Sequence, residues 1–540
     1  MKSFSLWDKP WIPATYCTGQ SGLLSIRDIL VQAHEVREIS DSSPLITAAI
    51  PRLLQAVLYR IFMPRAHSDW VRLWDEHRFN PDKIDEYGDI YSEKFDLFHP
   101  EQPFYQVPLI EGEIVHPISA LILEAASGNN ATLFDHGLAE GDSWLPLDRA
   151  ACHLVVHQAF AVGGGKSKPF YRMDGPLTKG LVIQAIGRTL WETLMLNLLP
   201  QSDWNSYVPT HDDDCPVWER EVFPEPCKDG TIPRGPLDYL TWQSRQIHLC
   251  ADDTGRITGC QIMQRYALPR DGNRRDPYKP YVTTGKEGWQ SFRPNKQRAV
   301  WQYTHLLLQS QKPKPNNNAS DSGVPGLSSW LATLKLRDRR HELPAVIDYS
   351  ASCLMLDPQK PAKIEQWRKE LLAFPIEYFG NEKLVLDLNK MFSWTSRYER
   401  LLAQTALALA IALGEKSKQQ NALTFLRTGS LDNELRKKYQ KISNSFGLVG
   451  RFWPTLETPF RQLLKQLPEE GYEAAQEEWL TALNDAARRS YSDVRNSLVY
   501  EVSTFDILTQ LDQVFYGRLA GIRNTIKGKE GKDSGSETIE

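Results

Sequence analysis

Apolar residues recur with a helical period in several stretches of this chain. An apolar position every three to four residues predicts an amphipathic helix. The first such stretch, at 43–63, carries one stripe of six apolar side chains: Leu45, Ile50, Leu53, Leu54, Val57 and Ile61. The pattern also predicts helices at 116–127 and 147–161, and a strongly apolar helix at 181–199 that ends at Pro200.

The pattern changes at about residue 200. From 200 to 345 short β-like runs alternate with prolines and turns, which predicts antiparallel strands. After about 360 the helical period returns and continues through 456–467, 472–499 and 503–523 with short breaks, which is typical of an antiparallel helical bundle.

These patterns predict an α+β fold. A large mixed N-terminal domain of helices and antiparallel strands occupies 1–360, and a C-terminal helical bundle of the four-helix type follows at 361–526. The tail at 527–540 has no aromatic residue and is predicted to be disordered.

Composition is that of a folded soluble protein, with 41% hydrophobic and 24% charged residues among 540. The N-terminus has no apolar signal region, and no apolar run approaches the roughly 20 residues that span a bilayer, so we expect a cytoplasmic protein without a membrane partner. The net charge is −4. Because free-standing nucleic-acid binders are usually basic, any such binding must come from a local patch or from partner subunits.

The sequence Gly-Gly-Gly-Lys-Ser-Lys at 163–168, called the glycine loop below, is a candidate phosphate-binding segment. Gly163, Gly164 and Gly165 allow backbone N–H groups to approach an anion, and Lys166 and Lys168 add positive charge.

Three interpretations of the glycine loop remain open. A nucleotide-binding loop needs a glycine at the position of Phe160, so an NTP-binding enzyme would have a degenerate phosphate loop at 160–167. Alternatively, the phosphate belongs to a nucleic-acid backbone, or the segment is a flexible turn with two solvated lysines.

A second candidate segment lies at 265–298. Its basic residues are Arg265, Arg270, Arg274, Arg275, Lys279, Lys286, Arg293, Lys296 and Arg298. Aromatic residues interleave with them, as on a nucleic-acid-binding face where charge meets phosphate and rings stack on bases. A solvated surface with structural aromatics fits the pattern equally well.

The sequence predicts no catalytic constellation, no cofactor and no metal. Four of the seven cysteines could meet at one zinc ion, but their spacing is too loose to decide whether they do: Cys215, Cys227, Cys250 and Cys260. His153 and His157 are four residues apart, but no glutamate lies between them, so we interpret them as packed core histidines rather than metal ligands.

Four features occur together in the order and spacing of one family. They are a Trp-Ile-Pro arm at 11–13, the sequence His-Pro-Glu-Gln-Pro-Phe at 99–104, the glycine loop and the C-terminal helical bundle. Over nearly its whole length the chain resembles the CasA family, the large subunit of the type I-E CRISPR Cascade surveillance complex.

The resemblance implies a non-catalytic subunit of an RNA-guided antiviral complex. Such a subunit recognises the protospacer-adjacent motif in duplex DNA, promotes strand opening for guide RNA pairing, and recruits a helicase-nuclease. The implied partners are the other Cascade subunits with the 5′ handle of the guide RNA, the target double-stranded DNA and that helicase-nuclease. Base pairing then reads the sequence, while protein reads a short duplex element.

The resemblance also implies site residues. The glycine loop would approach the minor groove, and Phe134 would meet the guide RNA handle. Gln264 or Arg265 would stand where the family has a lysine that contacts the motif. Ser350, Ala351 and Ser352 would occupy the tip of the hairpin that the family uses as a wedge, which carries glutamine in its well-studied member. Arg274 and Arg275, with Arg265, are expected on the phosphate backbone.

Overall fold

The computed structural model describes residues 3–125, 144–269, 275–283, 288–308, 323–337, 343–360 and 362–533. The chain divides into two compact units, residues 1–380 and 381–540. Small antiparallel sheets with surrounding helices make up the first unit, and helices make up the second, which confirms the α+β fold class.

The strands of the first unit pair in four antiparallel sheets, in the orders β2-β1-β3, β11-β10-β5, β4-β7-β6 and β8-β9. The strands are β1 Ile12–Tyr16, β2 Ser21–Leu24, β3 Val36–Ile39, β4 His116–Pro117, β5 Val182–Ile186, β6 Arg245–Ala251, β7 Ile257–Gln264, β8 Tyr281–Thr283, β9 Trp289–Ser291, β10 Val346–Leu356 and β11 Ile364–Pro375.

Helices of the first unit are α1 Ile26–Val31, α2 Pro44–Phe62, α3 His67–Asp75, α4 Pro81–Tyr91, α5 Leu147–Phe160, α6 Leu190–Leu196, α7 Gln201–Trp204, α8 Pro236–Leu240, α9 Thr304–Leu307 and α10 Gly326–Arg337. Helices of the second unit are α11 Glu382–Ser393, α12 Thr395–Gly414, α13 Gln419–Thr428, α14 Asn433–Phe446, α15 Leu448–Thr455, α16 Glu457–Glu470, α17 Tyr472–Ser497 and α18 Phe505–Asp533.

Helix α2 lies in the core of the first unit and confirms the predicted helix at 43–63. Ser43 caps it by accepting hydrogen bonds from the N–H groups of Leu45 and Ile46, and Pro44 occupies the first turn. By length and hydropathy α2 alone among the described helices could cross a membrane, although no such run was expected. Of its most apolar window, 78% is buried inside the protein, as in a core helix.

Two predicted helices are wrong. At 116–127 the described residues form the short strand β4 and a 3-10 turn at Ile118–Ala120. The apolar run at 181–199 begins with β5 and becomes helical only at Leu190. Periodicity does not separate a short, mostly apolar buried strand such as β5 from a segment of a buried helix.

The domain boundary lies twenty residues later than predicted. Strand β11 pairs with β10 along its length, so a boundary at 360 would divide a hairpin. The predicted tail is also partly helical, because α18 continues to Asp533. Lys527 and Arg523 of α18 both pair with Glu477 of α17, which ties this end of the helix to its neighbour. Residues 534–540 lie outside the described part.

His153 and His157 are buried in α5, which confirms the prediction that they are packed core histidines. Burial lowers the pKa of His153 to about 4 and that of His157 to about 3. Both side chains are therefore neutral in the folded protein at pH values where the unfolded chain protonates them.

Acid should consequently destabilise this unit through these two side chains. Below pH 6.5 the unfolded chain binds protons that the folded protein excludes, so the free energy of unfolding falls as the pH drops toward 4. Replacing His153 by Phe should reduce the loss between pH 7 and 5 by about 2 kcal/mol, at roughly 1.4 kcal/mol per pH unit. Urea unfolding at both pH values measures this effect. The exposed His211→Gln is the control, and an unchanged pH dependence in His153→Phe would contradict the assignment.

Candidate nucleic-acid interface

The glycine loop follows the end of α5 and runs over the protein surface. Gly164 and Gly165 have φ angles of +104° and +78°, in the left-handed region that side chains disfavour. Both residues are exposed, so the loop presents its backbone to solvent. The glycines are thus required by the backbone conformation itself.

Asp174 anchors the start of the loop. Its carboxylate accepts a hydrogen bond of 2.8 Å from the N–H of Gly163 and forms an ion pair with Lys179. The two sides of the loop also pair with each other, because the N–H of Gly164 donates to the carbonyl of Arg172 at 2.7 Å. The loop therefore has a defined conformation despite its three glycines.

Gln264, the last residue of β7, links this strand to the glycine loop through hydrogen bonds. Its backbone N–H donates to the Ser167 hydroxyl at 2.9 Å, and its side-chain oxygen accepts from the N–H of Met173 at 2.7 Å and from Arg245 at 2.9 Å. The side chain is fully buried. Gln264 thus supports the glycine loop and does not face solvent, and its implied place at the motif-contacting lysine of the family stays a prediction.

The guanidinium groups of Arg245 and Arg172 add positive charge near the glycine loop. Arg245 is 1% exposed and donates to the carbonyls of Val162 and Ser244 and to the amide of Gln264, all of them neutral acceptors. Burial, with the neighbouring charge of Arg172, lowers the pKa of Arg245 to about 9. Such charges have a favourable interaction with an anion that approaches the loop.

The β10–β11 hairpin ends in a turn whose described residues are 357–360 and 362–363; the segment 357–363 is called the hairpin tip below. The side chain of Asp357 accepts hydrogen bonds from the N–H groups of Gln359 at 2.8 Å and Lys360 at 3.2 Å, which closes the turn. The same bonds lower the pKa of Asp357. The side chains of Pro358, Gln359, Lys360 and Ala362 are exposed.

The glycine loop and the hairpin tip touch. A Cβ atom placed on Gly164 would lie 2.9 Å from the Cβ of Ala362, closer than such atoms approach in proteins. Two segments almost 200 residues apart in sequence therefore form one surface, made of loop backbone and an exposed turn.

The predicted position of the wedge is wrong. Ser350, Ala351 and Ser352 lie in the middle of β10, buried, and pair with β5 on one side and β11 on the other. Their small side chains suit a strand covered on both sides. The hairpin tip lies seven residues beyond Ser350, and Asp-Pro between two β-like runs was the sequence signal for it.

The basic segment at 265–298 does not form one solvent-exposed face. The Arg265 guanidinium is buried between the rings of Phe223 and Tyr266 and donates to Gln243, so it is turned away from the glycine loop. Lys279 is also buried, where its ammonium group donates to the carbonyls of Pro176 and Lys179. A phosphate contact by Arg265 is therefore incompatible with this conformation.

The remaining predicted residues have mixed surroundings. Lys166 is exposed on the glycine loop, and Lys168 forms an ion pair of 2.6 Å with Glu113. The guanidinium of Arg275 lies 4.7 Å from the ring centre of Trp289 and 5.4 Å from that of Tyr207, and it is half-buried. Phe134 and Arg274 lie outside the described residues.

The geometry differs from that of a nucleotide-binding loop. Such a loop connects a strand to the N-terminus of a helix, whose dipole faces the phosphates. Here a helix precedes the glycines, and the next regular element is β5. As for zinc, within the described ranges no three histidine, cysteine or acidic side chains lie together as a metal-ligand group.

The comparisons identify the family. The model of the CRISPR-associated protein Cse1 family matches residues 5–490, so the chain belongs to that family, which confirms the resemblance. CasA/Cse1 of Thermus thermophilus is 28% identical over 545 residues, which cover 96% of this chain and 98% of the relative.

Solved structures agree. The crystal structure of Thermus thermophilus CasA superposes with a TM-score of 0.76 at 26% identity and covers 96% of this chain and all of that one. A chain of a CRISPR RNA-guided surveillance complex has the same fold, with a TM-score of 0.72 at 18% identity over 96% of this chain and all of its own.

Two single substitutions separate the requirements at the glycine loop. Gly164→Ala and Gly165→Ala both place a side chain at a positive φ, which costs about 1–2 kcal/mol. Only Gly164→Ala also meets Ala362, because nothing lies within 4 Å of a Cβ on Gly165. Gly164→Ala should therefore lower the free energy of unfolding further than Gly165→Ala does.

A double-mutant cycle measures the contact itself. Adding Ala362→Gly to Gly164→Ala should recover the part of the loss that comes from the contact and leave the φ cost. The same Ala362→Gly change in a Gly165→Ala background should recover nothing. Equal effects in the two backgrounds would mean that the loop and the hairpin tip do not touch.

Proposed function

We propose that this protein is the non-catalytic large subunit of a cytoplasmic RNA-guided surveillance complex. The interface made by the glycine loop and the hairpin tip binds the short motif beside the target sequence in duplex DNA. Membership of the Cse1 family supports the first statement. The contact between Gly164 and Ala362 carries the second, since it joins a bare backbone segment to an exposed turn above buried positive charge.

Each part of this surface suits duplex DNA. Loop backbone without side chains can enter the minor groove closely, and the groove presents a degenerate pattern that tolerates related motifs. Lys166 and the guanidinium groups of Arg172 and Arg245 attract the phosphates on either side. The net charge of −4 restricts this attraction to the local surface and to the neighbouring subunits.

The hairpin tip replaces 350–352 as the wedge. Gln359 is exposed at the tip, and the family's well-studied member has a glutamine at the end of its wedge hairpin. A side chain inserted beside the motif unstacks a base step at a cost of a few kcal/mol and lets the guide RNA pair. The β10–β11 pairing extends up to Leu356, with a register shift between Met355 and Leu356, and so supports the tip from its base.

The other partners are proposed on the resemblance. Phe134 contacts the 5′ handle of the guide RNA, and a further surface recruits the helicase-nuclease once the target is bound. We also propose that Arg274 and Arg275 contact the DNA phosphates. A phosphate contact by Arg265 is disfavoured because its side chain is buried. The alternative of an NTP-binding enzyme is disfavoured by the helix that precedes the glycines.

Shortening the hairpin tip tests the proposal. Replacing 358–362 by two glycines, in the complex assembled with guide RNA, should leave weak binding of the duplex but prevent guide–target pairing on linear DNA. A target already opened beside the motif should restore pairing, because the missing step is strand opening. Gel shift and nuclease footprinting distinguish the two steps.

The matched control is the same shortening at the exposed turn between β6 and β7, at 252–256, which should leave both steps intact. If the opened target gives no rescue, or if the tip variant pairs normally on linear DNA, the hairpin tip is not the wedge.

A further inference from the structure

Tyr171, three residues after the end of the glycine loop, has an exposed aromatic ring. Tyr171 has 67% of its surface exposed to solvent. Within the described part of the chain its ring packs on no other ring and its hydroxyl makes no hydrogen bond. Tyr171 therefore presents a large aromatic face to solvent next to the glycine loop, where a ligand can reach it.

The backbone around Tyr171 is held firmly. Its neighbour Arg172 pairs with Gly164 and Gly165 through the backbone, and the Arg172 guanidinium donates to the carbonyl of Ile262 at 3.0 Å. The next residue, Met173, donates its N–H to Gln264. The ring is therefore free to contact a partner, while its attachment point is fixed relative to β7.

The position of the ring relates it to the hairpin tip. The backbone of Arg172 pairs with Gly164, and Gly164 lies against Ala362 of the hairpin tip. Tyr171 is therefore the residue next to the one that pairs with this contact. Lys166 lies on the same loop and supplies charge for a phosphate. Single-stranded nucleic acid is bound where aromatic rings stack on bases and basic side chains meet the backbone, and Tyr171 and Lys166 lie five residues apart in this segment.

We propose that Tyr171 stacks on a base of the target DNA that the hairpin tip has unpaired, and so holds the first opened step apart. This inference rests on the proposed function and adds a residue and a ligand to it: the face of an unpaired base, whatever its identity. Stacking has little base preference, since each base presents a π-face.

A protein partner is the competing occupant. Leu109, Ile114 and Val115 are also exposed, by 56%, 72% and 51%, and the Lys168–Glu113 ion pair brings their segment to the glycine loop. Nucleic acid is favoured at Tyr171 because the residue lies five positions from Lys166 and next in sequence to Arg172, whose backbone pairs with the glycine loop. The apolar side chains at 109–115 provide the control for the other possibility.

The test uses the assembled complex and a target opened beside the motif, with 2-aminopurine at the first unpaired position. Tyr171→Ala should weaken binding of this target by about tenfold, as expected for loss of one stacked base. It should also abolish the fluorescence quenching of the 2-aminopurine. Tyr171→Phe, which keeps the ring, should match the unaltered protein in both measurements.

Two further variants keep the outcomes distinct. Ile114→Ala removes an exposed apolar side chain of the same surface and should change neither affinity nor quenching. Lys166→Ala tests the proposed function separately, because loss of one phosphate contact lowers the salt slope of duplex binding by about 0.9.

Unchanged binding and quenching in Tyr171→Ala, with a lowered slope in Lys166→Ala, would overturn the stacking role and leave the proposed function standing. If neither variant has an effect, both fail. Loss of complex assembly in both Tyr171→Ala and Ile114→Ala would assign the ring to a protein interface and equally overturn the inference.

Discussion

The buried side-chain amide of Gln264 is the interaction on which the candidate interface depends. It accepts hydrogen bonds from Met173 and Arg245 and donates to the carbonyls of Ser244 and Tyr266, while the backbone N–H of Gln264 donates to the Ser167 hydroxyl. A buried polar group that loses its partners costs about 1–3 kcal/mol, so these bonds form or fail together. Through them, the end of β7 sets the position of both sides of the glycine loop.

Buried positive charge next to the glycine loop makes this surface favour an anionic ligand. The protein has a net negative charge, yet the guanidinium of Arg245 is buried next to the glycine loop with only neutral acceptors. Removing such a charge from water is costly, and an anion that settles on the loop recovers part of that cost. A surface that exposes backbone over buried cations has a natural ligand in the phosphates that flank a DNA groove.

The sequence predicted those features of the fold and the site that have a local signal, and missed those made by residues far apart in the chain. The glycine loop, α2, the core histidines and the helical second unit have local signals, and each was predicted. The contact between Gly164 and Ala362 has no local signal, because tertiary pairing across nearly 200 residues creates it. Arg265 was assigned to phosphate because burial cannot be read from charge. Its guanidinium instead packs against the rings of Phe223 and Tyr266.

The wedge shows the same limit in a different form. Positional matching to the family placed it at 350–352, inside a strand that is buried on both sides. The turn residues around Asp357 indicated where the hairpin ends, because Asp-Pro followed by Lys-Pro interrupts two β-like runs. For hairpins, turn chemistry was therefore the better guide than an approximate correspondence with a relative.

The central claim is that the glycine loop and the hairpin tip contact the same stretch of target DNA. Photo-crosslinking tests it directly: the complex assembled with guide RNA is bound to a duplex that carries photoreactive bases across the motif, and the attached peptides are mapped by mass spectrometry. We expect crosslinks from the same few base pairs to both 163–171 and 357–363. Crosslinks from the motif to neither segment, with attachment elsewhere on this chain or on a neighbouring subunit, would contradict it.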